Sequence, residues 1–145
     1  MQKYYQLEVR DCQGVLWAFY LRYEGRASAS FEGDLTGLGL GEIPGASLVE
    51  SNALKRQTSS PELDFYVVPI DGRTIKTLKE KLSNPGLLGR NGRIIHTLLA
   101  VGGELIFSAC DNFHDDCTVA SCAVPEEFLA ELKSNGVLRS YHCDA

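Results

Sequence analysis

The sequence predicts an α+β fold, a mostly antiparallel sheet of about seven or eight strands with two helices, near 72–83 and 125–135. Three observations lead there. Long stretches alternate polar and apolar residues with the period of two that a half-buried strand requires. Glycine-bearing turns separate them, above all Gly102-Gly103, a two-residue hairpin signal. Two other segments place their apolar residues at helical spacing, each opened by a capping residue and closed by Asn and Gly. With 145 residues, one domain over 1–145 buries about two thirds of the surface its unfolded chain exposes, so stability requires neither a disulfide nor a metal.

Residues 3–32 read as a three-stranded meander. Tyr5, Leu7 and Val9 share one face, then Val15, Trp17, Phe19, Leu21 and Tyr23, then Ala27, Ala29 and Phe31. Asp11-Cys12-Gln13-Gly14 and Glu24-Gly25 supply the turns, glycine being able to take the positive φ of a tight hairpin. The second run is the most aromatic and is expected at the centre of the sheet. Glycine at 33, 37, 39, 41 and 45 marks a loop, followed by a short strand at 46–50 and a polar loop at 52–61. Leu63 to Ile70 is rich in β-formers, with Pro69 placing it near its end or at a sheet edge.

Asp71 is the expected N-cap of the first helix, whose stripe is Ile75, Leu78 and Leu82 and whose stop is Asn84-Pro85-Gly86. Strands follow at 93–101, 104–110 and 117–124; for 93–101 the short apolar run also fits a helix. Pro125, Glu126 and Glu127 open the second helix, where carboxylates suit the positive end of the dipole. Phe128, Leu129 and Leu132 face inward, Asn135-Gly136 ends the helix, and 137–141 returns as a strand.

No signal peptide is read in the alternating first ten residues. The most apolar stretch, Ile94 to Val101, holds His96 and Thr97 and falls well short of the roughly 20 residues of a membrane span. Five cysteines at 12, 110, 117, 122 and 143 are odd in number and irregular in spacing, which points to reduced thiols in the cytoplasm. Fourteen Lys and Arg against nineteen Asp and Glu give a net charge of −5. From Arg73 to Arg93 six basic residues (Arg73, Lys76, Lys79, Lys81, Arg90, Arg93) meet only Glu80, a local +5 that leaves −10 elsewhere. Such a chain repels nucleic acid over most of its surface and offers one basic stretch to an anion or an acidic partner.

The densest polar segment is Cys110-Asp-Asn-Phe-His-Asp-Asp-Cys117. As a zinc site it would use Cys110, His114 and Cys117 with Cys122 or the pair His142 and Cys143, but the spacing matches no finger or ribbon. Alternatively, His96, His114, Asp111, Asp115 and Asp116 would form a divalent-metal or acid–base cluster for phosphate hydrolysis, the basic stretch holding the phosphate. Against both stands the plain reading of a polar turn anchored by Phe113, since Asp and Asn favour turns for local reasons. Neither Cys117 nor Cys143 sits where a thiolate would be stabilised. Gly37-Leu-Gly39-Leu-Gly41 leads into Glu42-Ile43-Pro44 rather than a helix and is no dinucleotide fingerprint. The turn Gly89-Arg90-Asn91-Gly92-Arg93 offers amides and two guanidinium groups to an anion. Tyr4, Tyr20, Tyr23 and Tyr66 are candidates for an exposed aromatic face, core packing being the simpler expectation.

No catalytic motif stands out. The expected function is therefore a non-catalytic protein-binding module, regulatory or inhibitory in the manner of an immunity protein, that acts on a protein partner or on a second copy of itself. The alternatives are a metal-dependent hydrolase of a phosphate-containing substrate and a structural zinc domain. No cofactor other than zinc is implied.

Overall fold

Two aspartates start helices in the computed structural model, which describes residues 3–144. Asp71 precedes α2 (Gly72–Lys81) and accepts the N–H groups of Arg73 at 2.9 Å and Thr74 at 3.0 Å, while its own N–H donates to Thr74 Oγ1 at 2.9 Å. This reciprocal box satisfies donors that a helix start leaves open. Asp11 accepts the Gly14 N–H at 2.9 Å and opens α1 (Cys12–Tyr23).

α1 overturns the meander expected for 3–32. Only the flanking runs are strands, β1 (Tyr4–Val9) and β2 (Ala27–Gly33). From Val15 to Leu21 every side chain is apolar, so periods of two and of 3.6 fit equally well. The structure buries Val15, Leu16, Phe19, Tyr20 and Tyr23, which share one helical face, and leaves Leu21 51% exposed. The Asp11 cap and that spacing were the signals in favour of a helix. Tyr20 and Tyr23 are thus core residues of α1, Tyr66 is half-buried against Gly41, and Tyr4 is exposed.

The other elements follow the sequence more closely. β3 (Asp64–Ile70), β4 (Ile94–Val101), β5 (Glu104–Ala109), β6 (Thr118–Ser121), α3 (Glu126–Ser134) and β7 (Leu138–Asp144) complete the chain. Residues 93–101 are a strand, joined to β5 through Gly102 and Gly103, both at positive φ. The strand expected at 46–50 shrinks to one bridge between Ser47 and Val67. β6 stops at Ser121 because Cys122 and Ala123 already turn toward α3.

Among the described residues all seven strands form one sheet in the order β3-β2-β4-β5-β6-β1-β7, every neighbouring pair antiparallel. The fold is therefore α+β with a mostly antiparallel sheet, with three α-helices among the described residues where two were expected. β3 is an edge strand, as Pro69 implied, and its outer side is partly occupied by Ser47. The main core unites helix residues with Leu7, Phe31, Leu99 and Phe107 of the sheet. Phe19 lies 4.7 Å from Phe107 and 5.1 Å from Phe128, ring centre to ring centre.

On another part of the sheet Leu54 packs with Leu98 and Ala100 in a separate small cluster. The loop that bears Leu54 is tied down by polar contacts. Buried Glu32 accepts the N–H groups of Gln57 at 2.7 Å and Thr58 at 3.2 Å. Among the described residues no helix is long and apolar enough to cross a membrane.

Phe19→Ala is expected to cost about 3–5 kcal/mol of stability, whereas Leu21→Ala, on the same face only in a strand, should stay within about 0.5 kcal/mol. Denaturant unfolding of the two variants checks this. A second expectation concerns acid. The Thr74 N–H, first among several contacts, holds the Asp71 carboxyl below its ordinary value. A lowered folded-state value means stability that is present above the ordinary carboxylate range, about pH 4, and lost as pH falls through the lowered value. Asp71→Asn keeps a capping side chain and should remove this part of the acid dependence, read from unfolding midpoints between neutral and acid pH.

Candidate functional site

Between β5 and β6 the chain makes a turn that local preferences do not favour. Asp111, Asn112 and Phe113 take φ of 50°, 58° and 63°, and a left-handed conformation costs an L-residue about 1–2 kcal/mol. Asp and Asn tolerate it through local hydrogen bonds, whereas Phe has no such help. Tertiary contacts supply the compensation. The Asn112 N–H donates to the Ile95 carbonyl at 2.8 Å and its Nδ2 to the Gly92 carbonyl at 2.8 Å. The Asp111 N–H donates to His96 Nδ1 at 3.1 Å. Phe113 is buried, its ring 6.4 Å from that of Phe107, which is the anchoring role expected of it. On the far side, Thr118 Oγ1 donates to the His114 carbonyl at 2.9 Å and Gln6 Nε2 to the Asp115 carbonyl.

This turn borders a cleft of about 790 Å³ together with the 89–91 loop, Val9, Arg10, Cys12 and Arg139. The only other non-glycine residue with positive φ among the described residues, Asn91 at 62°, lines it too. All four such residues therefore meet at one place, and clustered backbone strain is a mark of functional sites. Arg139 is itself placed by an irregularity: Glu8 pairs with Ser140 and Val9 with Leu138, so Arg139 is the extra residue of a β-bulge. Bulges re-aim side chains and recur beside active sites.

The lining brings together Arg10, Arg90 and Arg139 with Asp111, Asp115 and His114. Among the described residues none of these three arginines is in an ion pair, unlike Arg56, Lys81 and Arg93, each 3.7 Å from a carboxylate. His114 Nδ1 accepts the Asp116 N–H at 3.1 Å, so its outward nitrogen is Nε2 on an exposed side chain. With His114 neutral, three arginines against two aspartates leave the lining at +1. Cys12 also lines the cleft, its thiol pushed up by burial and then by Asp11.

The residues singled out from sequence divide into separate places. Arg73, Lys76 and Lys79 are exposed on α2. Arg93 is occupied by Asp34 and by the Thr36 carbonyl. Of the basic stretch only Arg90 enters the cleft. His96 is 5% exposed on β4, and both of its ring nitrogens are used. Because Nδ1 accepts from Asp111, Nε2 bears the proton and donates to Thr58 Oγ1 at 2.8 Å. His96 thus links the turn to the Gln57–Thr58 loop and does not share the cleft with His114. Cys110 and Cys117 are opposite each other beyond the β5–β6 ladder, with the Cys110 N–H on the Cys117 carbonyl at 3.1 Å. Burial pushes both thiols up, and for Cys117 the Asp111 carboxylate adds to it. Among the described residues no group of three or more His, Cys, Asp or Glu side chains is arranged to hold a metal ion.

Arg10 and Arg139 were not legible as site residues, since neither belongs to any of the polar or basic segments that stand out in the sequence. The paired Asp111-Asn112 and the Gly89-Arg90-Asn91-Gly92 segment were the signals available for positive φ. Compared with family models, with curated proteins and with solved structures, the chain matches none.

If strain is stored at Asp111, an exposed position, Asp111→Val should destabilise by about 1–2 kcal/mol, because a β-branched residue resists positive φ. Asp111→Gly should not destabilise. Equal losses in the two variants, measured by thermal unfolding, would assign the cost to the lost carboxylate instead.

Proposed function

We propose that the chain is a non-catalytic protein-binding module, inhibitory or regulatory in action and cytoplasmic, whose recognition surface is the cleft between the Asp111–Phe113 turn and the 89–91 loop. The observation behind this is that all four left-handed non-glycine residues among the described residues converge on a cleft lined by three arginines that are in no ion pair among those residues. Strained backbone fixes where the polar side chains start, and a partner then loses less freedom in ordering them. Arginine is also the charged residue most often enriched in protein interfaces. The exposed stripe of Arg73, Lys76 and Lys79 on α2 serves here as solvated surface. The hydrolase alternative draws less support, because His96 and His114 occupy different surroundings.

Affinity capture from native cell extract, quantified by mass spectrometry, separates the two basic surfaces. Reversing the cleft (Arg10→Glu, Arg90→Glu, Arg139→Glu) should reduce recovery of the specific partner about tenfold or more, the loss of roughly 1.4 kcal/mol. Reversing α2 (Arg73→Glu, Lys76→Glu, Lys79→Glu) should leave it unchanged. The opposite pattern, or indifference to both, would remove the cleft as the recognition surface.

A further inference from the structure

We propose that Arg10, Arg90 and Arg139 together receive one carboxylate, presented by an acidic side chain on an otherwise basic or neutral surface of the protein partner; this rests on the cleft being the recognition surface. Three considerations lead to a carboxylate. The first is charge. The lining stands at +1 with Asp111 and Asp115 counted, so a single carboxylate neutralises it. A phosphoryl dianion would leave an excess negative charge beside two aspartates, which is unfavourable where water is partly displaced.

The second is geometry. Guanidinium forks match carboxylate oxygens in bidentate fashion. Two of the three stems are held by unusual backbone: Arg90 between Gly89 at φ 86° and Asn91 at 62°, and Arg139 on the β-bulge. Three cations elsewhere, Arg56, Lys81 and Arg93, are matched by acids of the chain, whereas among the described residues the three cleft arginines are in no ion pair. A cleft of about 790 Å³ also admits a chain segment rather than a lone ion.

The third is the remainder of the molecule. A total charge of −5 repels a broadly acidic protein at long range. The favoured partner therefore approaches with a basic or neutral face and places one acid among the arginines. Such an arrangement sets register and rejects partners that lack the acid.

The test is an NMR titration of the full chain, 15N-labelled, followed at the arginine Nε–Hε signals. The probes are three versions of one short blocked lysine- and alanine-containing peptide whose central residue is glutamate, glutamine or phosphoserine. The glutamate version should shift the signals of Arg10, Arg90 and Arg139 together and saturably, the glutamine version should shift none, and the phosphoserine version should bind no tighter than glutamate. Arg139→Lys keeps the charge but loses the fork, and should weaken the glutamate peptide several-fold. No shift with glutamate, equal shifts with glutamine, or about tenfold tighter binding of phosphoserine would each overturn the assignment. If the peptide result fails while charge reversal of the cleft still abolishes partner capture, the carboxylate is wrong and the recognition surface stands. If charge reversal has no effect either, both fall.

Discussion

Phe107 of β5 is in contact with Phe19 of α1 on one side and Phe113 of the left-handed turn on the other, and Phe19 in turn meets Phe128 of α3 edge to face. This run of rings, from a helix through the sheet to the turn, is the constraint on which the remaining geometry rests. α1 has to bridge distant parts of the sheet, since β1 lies between β6 and β7 while β2 lies between β3 and β4. Its position is set by what Phe19 meets. The same contacts hold Phe113 in a conformation that a phenylalanine would not choose, so core packing and the shape of the cleft are one problem. Aromatic pairs contribute about 0.5–1.5 kcal/mol beyond the area they bury, which is the size of the strain that each left-handed residue introduces.

Most of the sheet was legible because strands and hairpins are local. Gly102-Gly103 defines a turn by its own φ preference, Asp71 with Thr74 closes a box within four residues, and Pro69 belongs to an edge for want of an N–H. α1 was not legible, because Val15 to Leu21 is apolar throughout and burial on one face cannot be told from alternation when every position qualifies. The cleft was legible only in pieces. The Cys110–Cys117 segment and Arg90 drew attention by their residue types, but Arg10 and Arg139 come from the two ends of the chain and meet only because β1 pairs with β7. His96 illustrates the converse. Its chemistry invited a catalytic reading, and its neighbours make it a bridge with no free nitrogen.

Buried polar groups tie the irregular segments to the sheet. Glu32 is 1% exposed and accepts two backbone N–H groups from the loop over the sheet, and its cross-strand partner His96 on β4 donates through Nε2 to Thr58 Oγ1. Hydrogen bonds to charged acceptors are among the stronger ones in proteins. Through His96 the Gln57–Thr58 loop and the Asp111 turn are joined, so a buried side chain outside the cleft helps hold one of its borders in place.

The pairing of β1 has a consequence for how the chain reaches this structure. Gln6 pairs with Val119 on one side and His142 on the other, so β1 finds neither neighbour until the chain has been made as far as β6 and β7. Contacts this far apart in sequence raise the contact order and slow the search for the native topology. Until both partners are made β1 has two unpaired edges, and unpaired strand edges are in general the sites at which chains pair wrongly. The alternation of polar and apolar residues along Tyr4–Val9 keeps one face of that waiting strand compatible with water.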